Sequence, residues 1–178
     1  LVGLRYLLAF GMPGSGLATV YVALAYIGHF ALLGFLPLML LLGPVALLLP
    51  RKGLLMVIGI PVAAAGLTIL ALDTNVFAQY RYHMSALTAQ IFETSTWILT
   101  GIIFCVALLF QAMLAGNVWQ RVATSRGGKG IWLAVVLILC WCGGQGTHIW
   151  ADATAYVPVL SFTRYLPVYF PIKAKRRL

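Results

Sequence analysis

The stretch VYVALAYIGHFALLGFLPLMLLLGPVALLL, residues 20–49, decides the fold. Its 30 residues contain no Asp, Glu, Lys or Arg, and about 20 apolar residues already carry a helix across a ~30 Å hydrocarbon core. A helix apolar on every side has no face for water, so the chain is read as an integral membrane protein. Pro37 and Pro44 each remove a backbone donor and crowd the preceding turn, so a bend or a tilt is expected to absorb the extra length.

Working outward, residues 54–72, 97–115 and 131–150 form three more spans of suitable length, the first with Pro61 near its start. The opening LVGLRYLLAF reads as the end of a further apolar span that begins before Leu1, which brings the expected count to five. The predicted fold class is an all-α membrane protein. Four complete transmembrane helices and the N-terminal remnant of a fifth occupy residues 1–150; an irregular interfacial segment, residues 151–178, leads toward a C-terminal periplasmic domain. Composition agrees. Of 178 residues, 62% are hydrophobic and 8% charged, with mean hydropathy +1.00, against about 25% charged in soluble domains.

Trp97 and Trp119 bracket the third span, and Trp132 and Trp150 the fourth, as interfacial aromatic pairs do; Trp141 falls mid-span, where packing against a neighbour is expected. Arg51, Lys52, Arg121, Arg126 and Lys129 lie in two short loops that carry no acid, while Asp73, Glu93 and Asp152 lie at the opposite ends of the spans with Arg5 and Arg81. The positive-inside rule therefore places Arg51 and Arg121 in the cytoplasm. The tail cluster begins 23 residues beyond Trp150, outside the ~15 to 20 residues over which that rule acts, and is placed outside. Small residues recur at Gly59, Ala63 and Gly66 and at Gly143, Gly144 and Gly146, where they permit close helix approach.

Catalytic signatures are missing: the chain has no GxSxG, no HExxH, no Gly-rich phosphate loop and no spaced carboxylate pair. It is read as non-enzymatic, with no catalytic residue, metal or cofactor. Cys105, Cys140 and Cys142 fall within spans and are expected as buried apolar thiols. His148 and Asp152, four apart, share a helix face as a structural polar pair, with His83 and Glu93 too few and too loosely placed to imply a metal. His29, deep in the first complete span and without an acidic partner, is expected to make a packing hydrogen bond. The net charge of +9 comes from short clusters rather than a helix face, which favours lipid headgroups over nucleic acid.

The tail ADATAYVPVLSFTRYLPVYFPIKAKRRL, residues 151–178, is the richest segment. Pro158, Pro167 and Pro171 preclude one long helix. Tyr156, Phe162, Tyr165, Tyr169 and Phe170 suit the headgroup layer, and Lys173, Lys175, Arg176 and Arg177 follow them. The strap is expected to lie on the bilayer surface, where each cation contributes ~1 kcal/mol near anionic lipid. The arginine fork makes a phosphorylated headgroup the natural ligand.

Residues 149–153 (IWADA), with Tyr156, Pro158, Leu166-Pro167, Phe170-Pro171 and Ala174-Lys175-Arg176, resemble the YejM (PbgA) family of Gram-negative inner-membrane proteins. Further matches fall at Arg5-Tyr6-Leu7, Ile27-Gly28-His29-Phe30, Leu72-Asp73, Val76-Phe77 and His83. The resemblance implies five transmembrane helices, an interfacial segment and a periplasmic domain of the alkaline phosphatase/sulfatase type. It implies a multi-pass inner-membrane regulator with a periplasmic C-terminal segment. Such a regulator senses lipopolysaccharide through lipid A phosphate and controls its synthesis through LapB, FtsH and LpxC, with cardiolipin or other anionic phospholipid as a further ligand. The lipid-binding residues so implied are Phe170, Pro171, Ile172, Lys173, Ala174, Lys175, Arg176 and Arg177, aligned on a family motif Tyr-Pro-Met-Thr-Ala-Arg-Arg. Lys175 stands for the first arginine and keeps the charge without the bidentate fork; Arg176 stands for the second, and Arg177 adds a charge where the family has an aromatic residue. Helices two to four with the basic loops are the expected contact for a LapB-like protein. The competing readings are a cardiolipin or phospholipid transporter and the membrane anchor of a periplasmic phosphatase- or sulfatase-like hydrolase.

Overall fold

The computed structural model describes residues 2–8, 11, 13–90, 92–124 and 128–174, with side chains at 122–124 and 128–129 set aside. The chain forms α1 (Leu4–Leu8), α2 (Gly16–Leu48), α3 (Lys52–Tyr80), α4 (Ala86–Gln90), α5 (Thr94–Thr124), α6 (Gly128–Ala153) and α7 (Val157–Leu160), then a 3-10 turn at Ser161–Tyr165. The architecture is all-α, with no strand among the described residues. Four stretches, Gly16–Leu48, Lys52–Tyr80, Thr94–Arg121 and Gly130–Ala153, are long and apolar enough to cross a membrane. Leu1, Ala9 and Phe10 of the expected remnant, and Met12 after it, lie outside the described residues; Leu4–Leu8 is helical.

The chain divides into two compact units: Leu1–Gly3 with Gly34–Arg126, and Leu4–Leu33 with Gly127–Leu178. Helix α2 passes from one to the other between Leu33 and Gly34 and continues unbroken through Pro37 and Pro44. Pro37 has no N–H for the carbonyl four residues back, which is that of Leu33, so the ladder of α2 lacks a rung there.

In the first unit α3 packs on α5. Helix α3 runs eight residues beyond the apolar span read from the sequence, which ended at Leu72. The extension closes on Arg81, whose left-handed φ of 64° lets its N–H return to the Phe77 carbonyl at 3.0 Å. It is kept in place by Asp73, which is 5% exposed. The Asp73 carboxylate accepts from His83 Nδ1 at 2.7 Å and, through its other oxygen, from the Met84 N–H, while the His83 ring stacks on Phe77 at 4.6 Å. At the other end of α3, Lys52 Nζ sits 5.6 Å from the centre of the Trp119 ring.

Outward faces carry large apolar side chains: Met39, Val57, Ile98 and Leu139 are all more than half exposed. Lipid is the solvent that such faces require. The cysteines correct the sequence expectation on this point. Cys105 and Cys142 lie on outward surfaces and Cys140 is half-buried, so the thiols keep an apolar setting by facing acyl chains rather than a protein core.

Candidate functional site: a strap folded back on two helices

The second unit builds its site on an unusually close pair of antiparallel helix segments. A Cβ placed on Gly28 of α2 would stand 2.5 Å from the Trp141 Cα of α6, and one on Gly144 of α6 would stand 3.0 Å from the Ala25 Cα. Only hydrogen at these positions allows the backbones to meet, the small-residue logic of membrane helices. Gly144 belongs to the small-residue run marked in the sequence, and Gly143 meets the Leu24 side chain at 3.2 Å, whereas Gly146 and Gly66 have open space around them. Gly28, the tightest contact, carried no small-residue repeat to reveal it; its partner supplies the constraint.

Against this pair lies the strap. Pro158 sits in the first turn of α7, where a missing N–H costs nothing, and the following 3-10 turn ends at Leu166, held extended (φ −102°, ψ 121°) by Pro167. The prolines thus break the tail into short pieces, as read from the sequence. Its course differs from a flat surface strap. Helix α6 ends at Ala153, yet the Pro167 carbonyl accepts a 2.6 Å hydrogen bond from His29 Nε2, beside the level of Trp141. Twelve residues at 1.5 Å each put that contact roughly 18 Å back along α6. The strap descends along the helices and climbs out again.

Its core is Ala18, Tyr21, Val22 and Ala25 from α2, Ala151 from α6, and Val159 and Leu166 from the strap. Tyr6 of α1, fully buried, stacks on Phe30 at 6.2 Å. The Tyr21 hydroxyl donates to that of Tyr169 at 3.4 Å, and the His29 ring meets Tyr169 edge-on at 5.0 Å. Burial pushes the Tyr169 hydroxyl above the ordinary tyrosine range, so it stays a neutral hydrogen-bonding group. Val168 takes a left-handed φ of 52°, which costs a β-branched residue on the order of 1–2 kcal/mol. Its flanking contacts at Pro167 and Tyr169 offset that cost. The Tyr26 hydroxyl is buried without a hydrogen-bond partner among the described residues, and apolar atoms of Tyr26 line a small cavity with Leu7, Phe162 and Leu166.

The climbing leg is held by one face of α6. Gln145 Oε1 accepts the Ile172 N–H at 3.0 Å, His148 Nδ1 donates to the Ile172 carbonyl at 3.1 Å, and Asp152 Oδ2 accepts the Ala174 N–H at 2.8 Å. Since carbonyl oxygens only accept, the proton is on Nε2 of His29 and on Nδ1 of His148. His148 and Asp152 were paired in the sequence reading by their spacing. They do share a face, but each holds strap backbone. His29 likewise finds its hydrogen bond on the strap rather than on a neighbouring helix. His83 is engaged by Asp73, and Glu93 accepts from the Ser95 hydroxyl at 3.4 Å.

Of the residues implied as lipid-binding, Phe170 is 82% exposed, Ile172 is half-exposed and Lys173 is exposed, while Pro171 and Ala174 are partly covered. Lys175, Arg176 and Arg177 lie outside the described residues. The structure therefore leaves an aromatic, Phe170, and a cation, Lys173, exposed on the leg whose backbone three polar side chains of α6 hold. One amide in a glycine-rich stretch has no periodic signature, so the sequence does not single out Gln145.

The DUF3413 family, described as a domain of unknown function, matches residues 1–178. Two curated relatives, each called "Inner membrane protein YejM", come from Salmonella typhimurium (strain LT2) and Salmonella typhi. Each is 28% identical over 187 aligned positions that take in all of this chain. The chain spans about a third of their length, 32%.

Proposed function

Because the chain belongs to the DUF3413 family and matches YejM inner-membrane proteins along its whole length, we propose that it is the membrane part of a non-enzymatic, inner-membrane lipid sensor. In this reading the strap faces the periplasm and holds the phosphate of lipid A, with cardiolipin or another anionic phospholipid as a weaker alternative. The occupied state regulates lipopolysaccharide synthesis through a LapB-like partner and the FtsH/LpxC axis.

The observation that carries the reading is the docking of the strap: a backbone held by Gln145, His148 and Asp152 leads directly into Lys173 and the cations that follow it. Charge near an anionic surface supplies attraction, and a held backbone supplies direction. A sensor also needs two forms that the ligand distinguishes, because equal affinity for both shifts nothing. The strap provides a way to differ. Its polar contacts include Tyr21 and His29 of α2 and Gln145, His148 and Asp152 of α6, and α2 is shared by both compact units.

The test is binding of lipid A to the purified protein with and without Lys175→Ala plus Arg176→Ala. Loss of two cations at a phosphate is expected to weaken binding by about tenfold or more at moderate salt. Unchanged affinity would remove the strap as the site.

A further inference from the structure

The three polar α6 side chains that hold the rising leg of the strap bear on which lipid it takes. This inference rests on the lipid-phosphate reading above. Gln145, His148 and Asp152 are spaced i, i+3 and i+7 and so form one stripe on α6. Among the described residues, the hydrogen bonds seen between them and the strap go to main chain: the N–H and C=O of Ile172 and the N–H of Ala174. In an extended chain the backbone groups of successive residues point to opposite edges, so those of Ile172 and Ala174 face the stripe and those of Lys173 face away from it. The distances match. From the midpoint of Gln145 and His148 to Asp152 is about 8 Å of helix rise, and two extended residues cover ~7 Å.

The register is guarded on one side by chemistry. A shift of one residue that brought Pro171 opposite Gln145 would offer the amide oxygen no N–H, because proline has none. Any one-residue shift would also turn the opposite set of side chains toward a given surface.

We propose that Gln145, His148 and Asp152 are positioning residues, a main-chain clamp that sets the register of residues 172–174. The clamp makes the strap select a lipid phosphomonoester by geometry rather than by charge alone. A phosphomonoester presents three terminal oxygens that reward converging donors, whereas a phosphodiester such as phosphatidylglycerol offers two and is drawn chiefly by charge. A loose strap carries the same charge and loses the distinction.

The test uses the full chain in phosphatidylcholine nanodiscs doped with lipid A or with phosphatidylglycerol at matched negative charge. Retained lipids are counted by native mass spectrometry, and backbone hydrogen exchange is followed at residues 166–174. Asp152→Ala and Gln145→Leu are each expected to lower the preference for lipid A about tenfold and to speed exchange at Ala174 and Ile172 respectively. Asp152→Asn keeps an oxygen for the Ala174 N–H and should restore both readouts although the charge is gone. If Asp152→Asn behaves like Asp152→Ala, or if exchange quickens while the preference holds, the clamp is overturned and the lipid reading stands. If the wild-type chain shows no preference for lipid A, the lipid reading fails and the clamp's role with it. Gln145→Leu decides the matter alone should Asp152→Ala not fold.

Discussion

The two compact units solve the same problem, holding helices together in a greasy solvent, by different means. In the unit formed by the first half of α2, α6 and the strap, the backbones touch at Gly28 and Gly144, and polar side chains are spent on main-chain atoms of the strap. In the unit that contains α3 and α5, the described polar ties lie toward the ends of α3: the Asp73 clasp with His83 and Met84, and Lys52 over Trp119. Burial drives helices together weakly when the solvent is itself hydrocarbon, so shape and hydrogen bonds must specify the contact. The strap unit uses both along its length. In the α3–α5 unit the close glycine approach is to a side chain, Gly59 to Leu42 at 3.0 Å, rather than to a backbone.

Glycine substitutions test this contrast with the largest expected effect. Gly28→Ala would drive a methyl group to 2.5 Å from the Trp141 backbone, and such overpacking is expected to cost about 3 kcal/mol. Gly66→Ala in α3 meets nothing within 4 Å and should be neutral or stabilising by up to about 1 kcal/mol through helix propensity. Thermal unfolding midpoints in nanodiscs compare the two; similar shifts would erase the distinction between the units.

Removal of the clasp comes next. Asp73→Ala leaves the His83 ring and the buried side of the Met84 N–H without their acceptor, a loss of about 2 kcal/mol. Hydrogen exchange should rise over residues 76–85 and stay unchanged over 166–174. A rise at the strap would show that the effect of the clasp is not confined to its own unit.

The smallest effect belongs to Lys52→Met, which keeps the apolar stem and removes the cation over Trp119. About 0.5–1 kcal/mol is expected, again read from the thermal midpoint. A larger loss would mean that this end of the α3–α5 unit is as closely specified as the strap.

Much of the fold was legible because it rests on counting. An uninterrupted apolar run from Val20 to Leu49 admits one structure in lipid, and the α2, α3, α5 and α6 helices cover all four expected spans. The ends were harder. Helix α3 outran its apolar run because Asp73 is satisfied by a partner ten residues on, which a hydropathy reading treats as a stop. At the site, the aromatic and basic content of the tail and its broken course at Pro158 and Pro167 were readable, and the pairing of His148 with Asp152 was half right: one face, different partners. The roles of Gln145 and Gly28 as packing and holding residues leave no mark in the sequence, since an isolated amide and an isolated glycine mean little until something packs against them.

Composition and the spacing of prolines, by themselves, determined that this chain is helical, apolar on its outside and carries a cationic strap after its last span. Those are properties of local chemistry and of its solvent. Tertiary structure alone decided that the strap turns back to His29, that Gly28 receives the Trp141 backbone and that α6 reads residues 172 and 174 through their main chain. A backbone amide is the same in every residue, so contacts made to it leave no trace in the letters of the segment that is held.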